Sequence, residues 1–172
     1  MPNGVYDGAK WRTRRGHIMS NSPPTPGTAR KRGRESLSSS AEILGLGAKD
    51  PLTLAEKVEK GFPIRSFTRL QTVLNIPSSD LAKIVCITSR TLARRKVQGR
   101  LEPDESDRLL RVTRVYRLAL DLFESDHSAA LAWLSRPNRA LNGKPPLRLA
   151  TTEVGAREVE RLVTRLEHGV TT

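Results

Sequence analysis

The sequence predicts an all-α protein, and three observations carry that prediction. From about Leu52 onward, apolar residues recur at spacings of three and four. No alternating apolar–polar run of strand type occurs. Clusters of Pro, Gly and Asn punctuate the periodic stretches at helical lengths. The 172 residues suit roughly one domain plus appendages.

Residues 1–50 read as a disordered basic tail. They include Ser22-Pro23-Pro24-Thr25-Pro26-Gly27, the run Arg30-Lys31-Arg32-Gly33-Arg34, and the serines from Ser36 to Ser40 around Leu37. Such composition buries too little apolar area to offset chain entropy. The basic run fits a solvated tail and non-specific attraction to nucleic acid equally well.

The helical pattern then begins. Leu54, Val58 and Phe62 repeat every four residues until Gly61-Phe62-Pro63 ends the segment. Ile64 to Leu74 carries Phe67, Leu70, Val73 and Leu74 on one stripe, and Asn75-Ile76-Pro77 breaks it. Ser78 or Ser79 is placed to cap a short helix through Val85. A further short helix runs from about Ser89 to Val97 and is stopped by Gln98-Gly99-Arg100. Pro103, with Asp104, Glu105 and Asp107 after it, suits the first turn of a long helix over 103–123. Leu109, Val112, Tyr116, Ala119 and Phe123 form its apolar stripe. Ser128 to Leu134 is a shorter helix ending before Pro137, and 138–146 is a turn-rich connector. Thr152 is placed to cap a last helix whose Val159, Leu162, Val163 and Leu166 share a face, with Gly169 as terminator. The expected division is a tail over 1–50, a helical region over 51–123 and a C-terminal domain over 124–172.

The net charge of +12 is unevenly spread. Residues 1–40 and residues 81–101 each carry +6, while 41–80 and 102–172 are neutral. Between 81 and 101 there are six cations and no acid, the footprint of a polyanion-binding site. Other classes recede. One cysteine, Cys86, permits no intramolecular disulfide or multi-thiolate zinc site, which fits a reducing cytoplasmic compartment. His17, His127 and His168 lack metal-ligand spacing. The longest uncharged stretches fall short of a membrane span, and no secretory signal or glycine-rich phosphate loop occurs. No cofactor is called for.

Residues 78–97 have the spacing of a helix-turn-helix. Leu81 and small Ala82 lie on its first helix, Cys86-Ile87 makes the turn with Ile87 buried, and Leu92 anchors the second helix. Thr88 or Ser89 caps that helix. Its N-terminal side chains are then placed for a major groove. Ser89, Arg90, Thr91, Arg94 and Arg95 lie on or near the free face, and Lys83, Lys96 and Arg100 reach flanking phosphates. Arg90 or Arg94 to guanine is the favoured pairing. Two positions depart from the motif: Cys86 stands where glycine is usual, and Arg95 where an apolar residue is usual. A helical hairpin with a basic solvated face is the plain alternative. Between Val85 and Ile87, Cys86 reads as a buried small hydrophobe rather than a redox group.

The C-terminal part runs Ala129-Ala130-Leu131-Ala132-Trp133-Leu134, then Pro137-Asn138-Arg139-Ala140-Leu141-Asn142-Gly143-Lys144-Pro145-Pro146-Leu147, then Thr152-Glu153-Val154-Gly155, and ends Leu166-Glu167-His168-Gly169-Val170. This ordered set resembles the toxin-binding domain of the Xre/MbcA/ParS family of bacterial antitoxins. With the upstream helices the resemblance covers roughly 60–172. It implies a helix-turn-helix that binds operator DNA and a C-terminal domain that clasps a toxin. The toxins implied are RES-domain proteins that degrade NAD, inhibited by occlusion of the active-site opening. By position, the resemblance puts Arg157, Arg161, Arg165, His168, Gly169 and Val170 at the partner face. A homodimer or higher toxin–antitoxin assembly follows from the same resemblance, with nucleoid association when DNA is bound. Trp133 is expected to fill the core of the small domain, and Gly155 to permit close packing.

No serine, cysteine or carboxylate is placed to make His168 a general base, so no enzyme is expected. A stand-alone regulator with a ligand-sensing C-terminal domain is the alternative reading. A pure interaction module without DNA binding is a third.

Overall fold

Local signals in the chain set where each helix begins and ends. In the computed structural model, which describes residues 39–48 and 50–167, the helices are α1 (Pro51–Glu59), α2 (Ile64–Leu74), α3 (Ser78–Ile84), α4 (Ser89–Gln98), α5 (Pro103–Leu122), α6 (His127–Ser135), α7 (Pro146–Leu149) and α8 (Glu153–Glu167). A short 3-10 turn covers Arg139–Leu141. Among the described residues only isolated antiparallel bridges occur, so the fold is all-α.

Pro51, Pro103 and Pro146 occupy first helical positions, where a missing N–H costs nothing. Asp50, Thr88 and Asp126 cap α1, α4 and α6 by accepting the N–H of Thr53, Thr91 and Ala129. Thr152 Oγ1 accepts the Gly155 N–H at the start of α8. The cap of α3 differs from expectation. Pro77 holds the N-cap position and Ser78 is already helical, so neither Ser78 nor Ser79 caps it. Asn75 and Gly99 end α2 and α4 in the left-handed region.

One hydrophobic core runs through the molecule. Phe62, Phe67, Leu70, Leu81, Val85, Leu109, Val112, Val115, Val159 and Leu134 are fully buried within it. Each such side chain stabilises the fold by about 1.5–3 kcal/mol. Helix α5 is the spine of this core, packing against α1, α6, α7 and α8. The expected division near 123 therefore falls at the end of a helix that serves both sides.

The tail expected over 1–50 stops short of its end. Ala41, Leu44, Leu46 and Ala48 are buried, and the Ser66 Oγ donates to the Leu44 carbonyl at 2.8 Å. Apolar residues at 41 and 44 lie on one face of the helical stretch over 39–43 and its ensuing turn, which gives the segment a core-facing side. Residues 1–38, with Arg30 to Arg34 and His17, lie outside the described residues. Trp133, expected to fill the core, is half-buried with its ring 6.2 Å from that of Phe123. Gly155 has its expected role, since a Cβ there would lie 2.2 Å from the Leu149 carbonyl oxygen. The buried Tyr116 ring places its hydroxyl 2.7 Å from His127 Nδ1, and burial pushes that hydroxyl's pKa up.

Charge pairing registers α8 on α5. Arg111 Nε donates to Glu153 Oε2 at 3.0 Å, and Arg114 Nε to Glu160 Oε1 at 2.7 Å. Arg157, one turn along α8, donates to Glu153 Oε1 at 3.0 Å. Partly exposed pairs of this kind contribute on the order of 1 kcal/mol each, so burial of Val159, Leu162 and Val163 supplies most of the attachment. The hydrogen bond from Arg157, aided by Arg114 and Arg111, holds the Glu153 carboxyl below its ordinary value of 4.5. A depressed folded pKa adds stability above the ordinary carboxylate range and loses it as pH falls through the folded value. The stability difference between wild type and Glu153→Gln, read from urea unfolding, should be present at pH 7 and shrink toward zero below about pH 4.5. A difference that stays constant with pH contradicts this role.

Candidate functional site

The acid-free window folds into the second half of α3, the turn after it, all of α4 and the start of the link to α5. Ile87 and Leu92 are buried as the motif demands, and Ala82 lets the two helices approach. Arg108, reaching from α5, donates from Nε to the Val85 carbonyl at 2.8 Å and braces the end of α3. Cys86 is exposed with φ of +55°, which corrects the expectation of a buried small hydrophobe. In the left-handed conformation that this turn requires, its side chain faces solvent rather than the helices.

The largest correction concerns Arg95, expected near the free face. It points inward. Its guanidinium Nε donates to both oxygens of Glu105, at 3.1 and 2.8 Å, with side chains only 6 % and 7 % exposed. Nη1 reaches Glu102 Oε1 and Gln98 Oε1, each at 2.8 Å. Glu105 Oε2 in turn accepts the Glu102 N–H at 2.8 Å, at the N-terminus of α5. The hydrogen bond that Arg95 donates to Glu105 raises the Arg95 pKa against the opposing effect of burial. Arg95 is thus an ion-pairing core residue that joins α4 to α5, which explains an arginine at an apolar register of the motif.

A second tie lies beside it. Leu101 N–H donates to the Phe62 carbonyl at 2.8 Å, and Ile64 N–H to that of Gly99 at 2.9 Å. Gly61, with φ of +76°, makes this approach possible, since a Cβ there would sit 2.1 Å from Leu101 O. Arg100 Nη1 donates to the Lys60 and Gly61 carbonyls at 2.7 and 3.0 Å. The guanidinium expected to reach phosphate thus closes the α1–α2 turn instead. Ser106 Oγ accepts the Phe62 N–H at 2.8 Å, again from α5.

With Arg95 inward, the rotation of α4 is fixed and its solvent face follows. Arg90, Ala93, Arg94 and Val97 are all exposed and stand at i, i+3, i+4 and i+7, opposite Leu92 and Arg95. Ser89 and Lys96 are exposed beside this stripe, while Thr91 is half-buried with its hydroxyl 2.9 Å from that of Thr88. Lys83 is exposed and pairs with Asp80 at 2.9 Å. Among the described residues, no carboxylate pairs with Arg90, Arg94 or Lys96. Sequence reasoning missed Ala93 and Val97, although both follow from counting forward from Arg90. It also missed Glu102 and Glu105, which folding carries from α5 to α4.

On α8, Arg157, Arg161 and Arg165 are exposed on the side away from Val159, Leu162 and Val163. Arg157 is paired with Glu153 and Arg161 with Glu158. Val154 is also exposed on this helix. His168, Gly169 and Val170 lie outside the described residues. No group of three or more His, Cys, Asp or Glu placed to hold a metal occurs among the described residues. Within the same residues, no helix is long and apolar enough to cross a membrane.

Comparison with known proteins matches the chain to two family domains that meet within α5. Residues 53–114 match the antitoxin Xre-like helix-turn-helix domain. Residues 118–169 match the antitoxin Xre/MbcA/ParS C-terminal toxin-binding domain. The relative named antitoxin Xre from Yersinia enterocolitica is 38% identical over 128 residues, 74% of this chain and 86% of its own length. One of the same name from Photorhabdus laumondii is 34% identical over 114 residues, 66% and 77% of the two chains. Another, from Pseudomonas putida, is 33% identical over 69 residues, 40% and 43% of the two chains.

The geometry separates the arginines of α4 by substitution. Arg95→Ala leaves Glu105 buried and unpaired, and should cost about 3–5 kcal/mol in urea unfolding. Arg90→Ala and Arg94→Ala should each stay within about 0.5 kcal/mol of wild type. Equal effects at all three positions contradict the inward placement of Arg95.

Proposed function

The chain belongs to the Xre family of antitoxins, and on that premise we propose that it neutralises a cognate RES-domain toxin and represses its own operon. The observation that carries this reading is the tandem of helix-turn-helix and toxin-binding domain along one chain, with α5 packed against both. The protein acts in the cytoplasm, as a homodimer or a larger assembly with its toxin, and works by binding rather than by chemistry.

On the DNA side, Arg90 and Arg94 enter the major groove from the free face of α4. Either is suited to bidentate hydrogen bonding with guanine O6 and N7. Lys96, Lys83 and Ser89 flank them and meet phosphates. Two-fold symmetry then places half-sites about one helical turn apart. On the toxin side, α8 presents Arg157, Arg161 and Arg165 and leads to His168, Gly169 and Val170. This end covers the opening of the toxin's active site, so that NAD no longer enters.

Co-expression with the product of the neighbouring gene tests the reading, with growth and cellular NAD as readouts. Wild type should preserve both. Removal of residues 168–172 should abolish protection while operator binding in a gel shift is retained. Arg90→Ala should do the reverse, costing about 1–3 kcal/mol in operator binding with protection intact. Undiminished NAD loss in the presence of wild type refutes the neutralisation. Equal losses of both activities in either variant refute the division of labour.

A further inference from the structure

Val97 is the most exposed large hydrophobic residue among those described, at 90 %. A lone exposed valine is ordinary on a protein surface. This one has a particular address. It lies seven residues after Arg90 on α4, and seven residues of α-helix fall about 20° short of two full turns. Val97 therefore points along the same line as Arg90, about 10 Å further down the helix axis. A helix lying in the major groove follows the groove rather than the duplex axis, so the two side chains address positions about two to three base-pair steps apart. The Arg95–Glu105 pair holds α4 in this rotation, at 2.8 Å and buried. Ala93 and Arg94 fill the interval between them.

An isopropyl group carries no donor or acceptor, and the major groove offers it one apolar partner, the C5-methyl group of thymine. We propose that Val97 is a specificity-determining residue that reads a thymine methyl, with the guanine read by Arg90 about two to three base pairs away. The inference rests on the DNA-binding reading above and adds a base preference at the far end of the recognition helix. It also gives the stripe a mixed chemistry, hydrogen bonding at Arg90 and Arg94 and apolar contact at Ala93 and Val97.

The test uses the full chain. Duplexes are selected from a random library, and each thymine of the enriched site is then replaced singly by uracil, which removes the methyl group alone. Wild type should lose affinity roughly three- to tenfold at one thymine, about two to three base pairs from a guanine whose replacement weakens binding. Val97→Ala should bind the thymine and uracil duplexes equally at that position, and urea unfolding should show its stability unchanged. Wild-type affinity indifferent to every uracil overturns the proposal, as does discrimination that survives in Val97→Ala. Failure of wild type to enrich any sequence overturns the DNA-binding reading together with this inference.

Discussion

The buried ion pair between Arg95 and Glu105 is the constraint on which the rest of the DNA-facing half depends. It joins the recognition helix to the first turn of α5 through two hydrogen bonds from one guanidinium nitrogen. The same carboxylate accepts the Glu102 N–H, so one group both ends the loop and starts the spine helix. Burying the pair costs several kcal/mol of desolvation per ion, and an apolar pair of similar volume holds two helices as firmly. What the charged pair adds is direction. A planar guanidinium against a carboxylate fixes the rotation of α4, and that rotation turns Arg90, Ala93, Arg94 and Val97 outward together.

From that point the structure reads outward along α5. Near its N-terminus, Glu105, Ser106 and Arg108 hold α4, the Phe62 N–H and the end of α3. Further along, Arg111 and Arg114 hold α8 through Glu153 and Glu160. The antitoxin's DNA-binding and toxin-binding parts thus share one helix and one core, rather than occupying opposite ends of a flexible chain.

Much of this was legible in the residues. Periodicity placed the long helix over 103–123, Thr88 and Thr152 marked two helix starts, and Ile87 and Leu92 marked the packing of the motif. The ordered run from Trp133 through Pro137, Gly143 and Gly155 carried the family resemblance. The failures share a cause. Arg95, Arg100 and Cys86 were placed by residue type and neighbours in sequence, whereas each is decided by a group brought from elsewhere or by one backbone angle. Glu105 lies ten residues after Arg95, and the Lys60 carbonyl lies forty before Arg100. The +6 between 81 and 101 overstated the free charge, because Asp80 and Glu102 at the window's edges and Glu105 beyond it pair with its cations. Residues 41–48 were assigned to the tail because alanine and leucine among glycines make a weak helical signal on their own. Their burial against α2 is a tertiary effect.

The central claim is that Arg95 orients the DNA-reading face and touches no phosphate. The salt dependence of operator binding by the Arg95→Met, Glu105→Leu double variant measures this directly. Removing both partners leaves no buried charge unpaired. The account predicts weaker operator binding, because α4 is no longer held in its rotation, with the wild-type slope of log K against log salt. A slope shallower by about 0.9 means that a phosphate contact has been lost, and contradicts it.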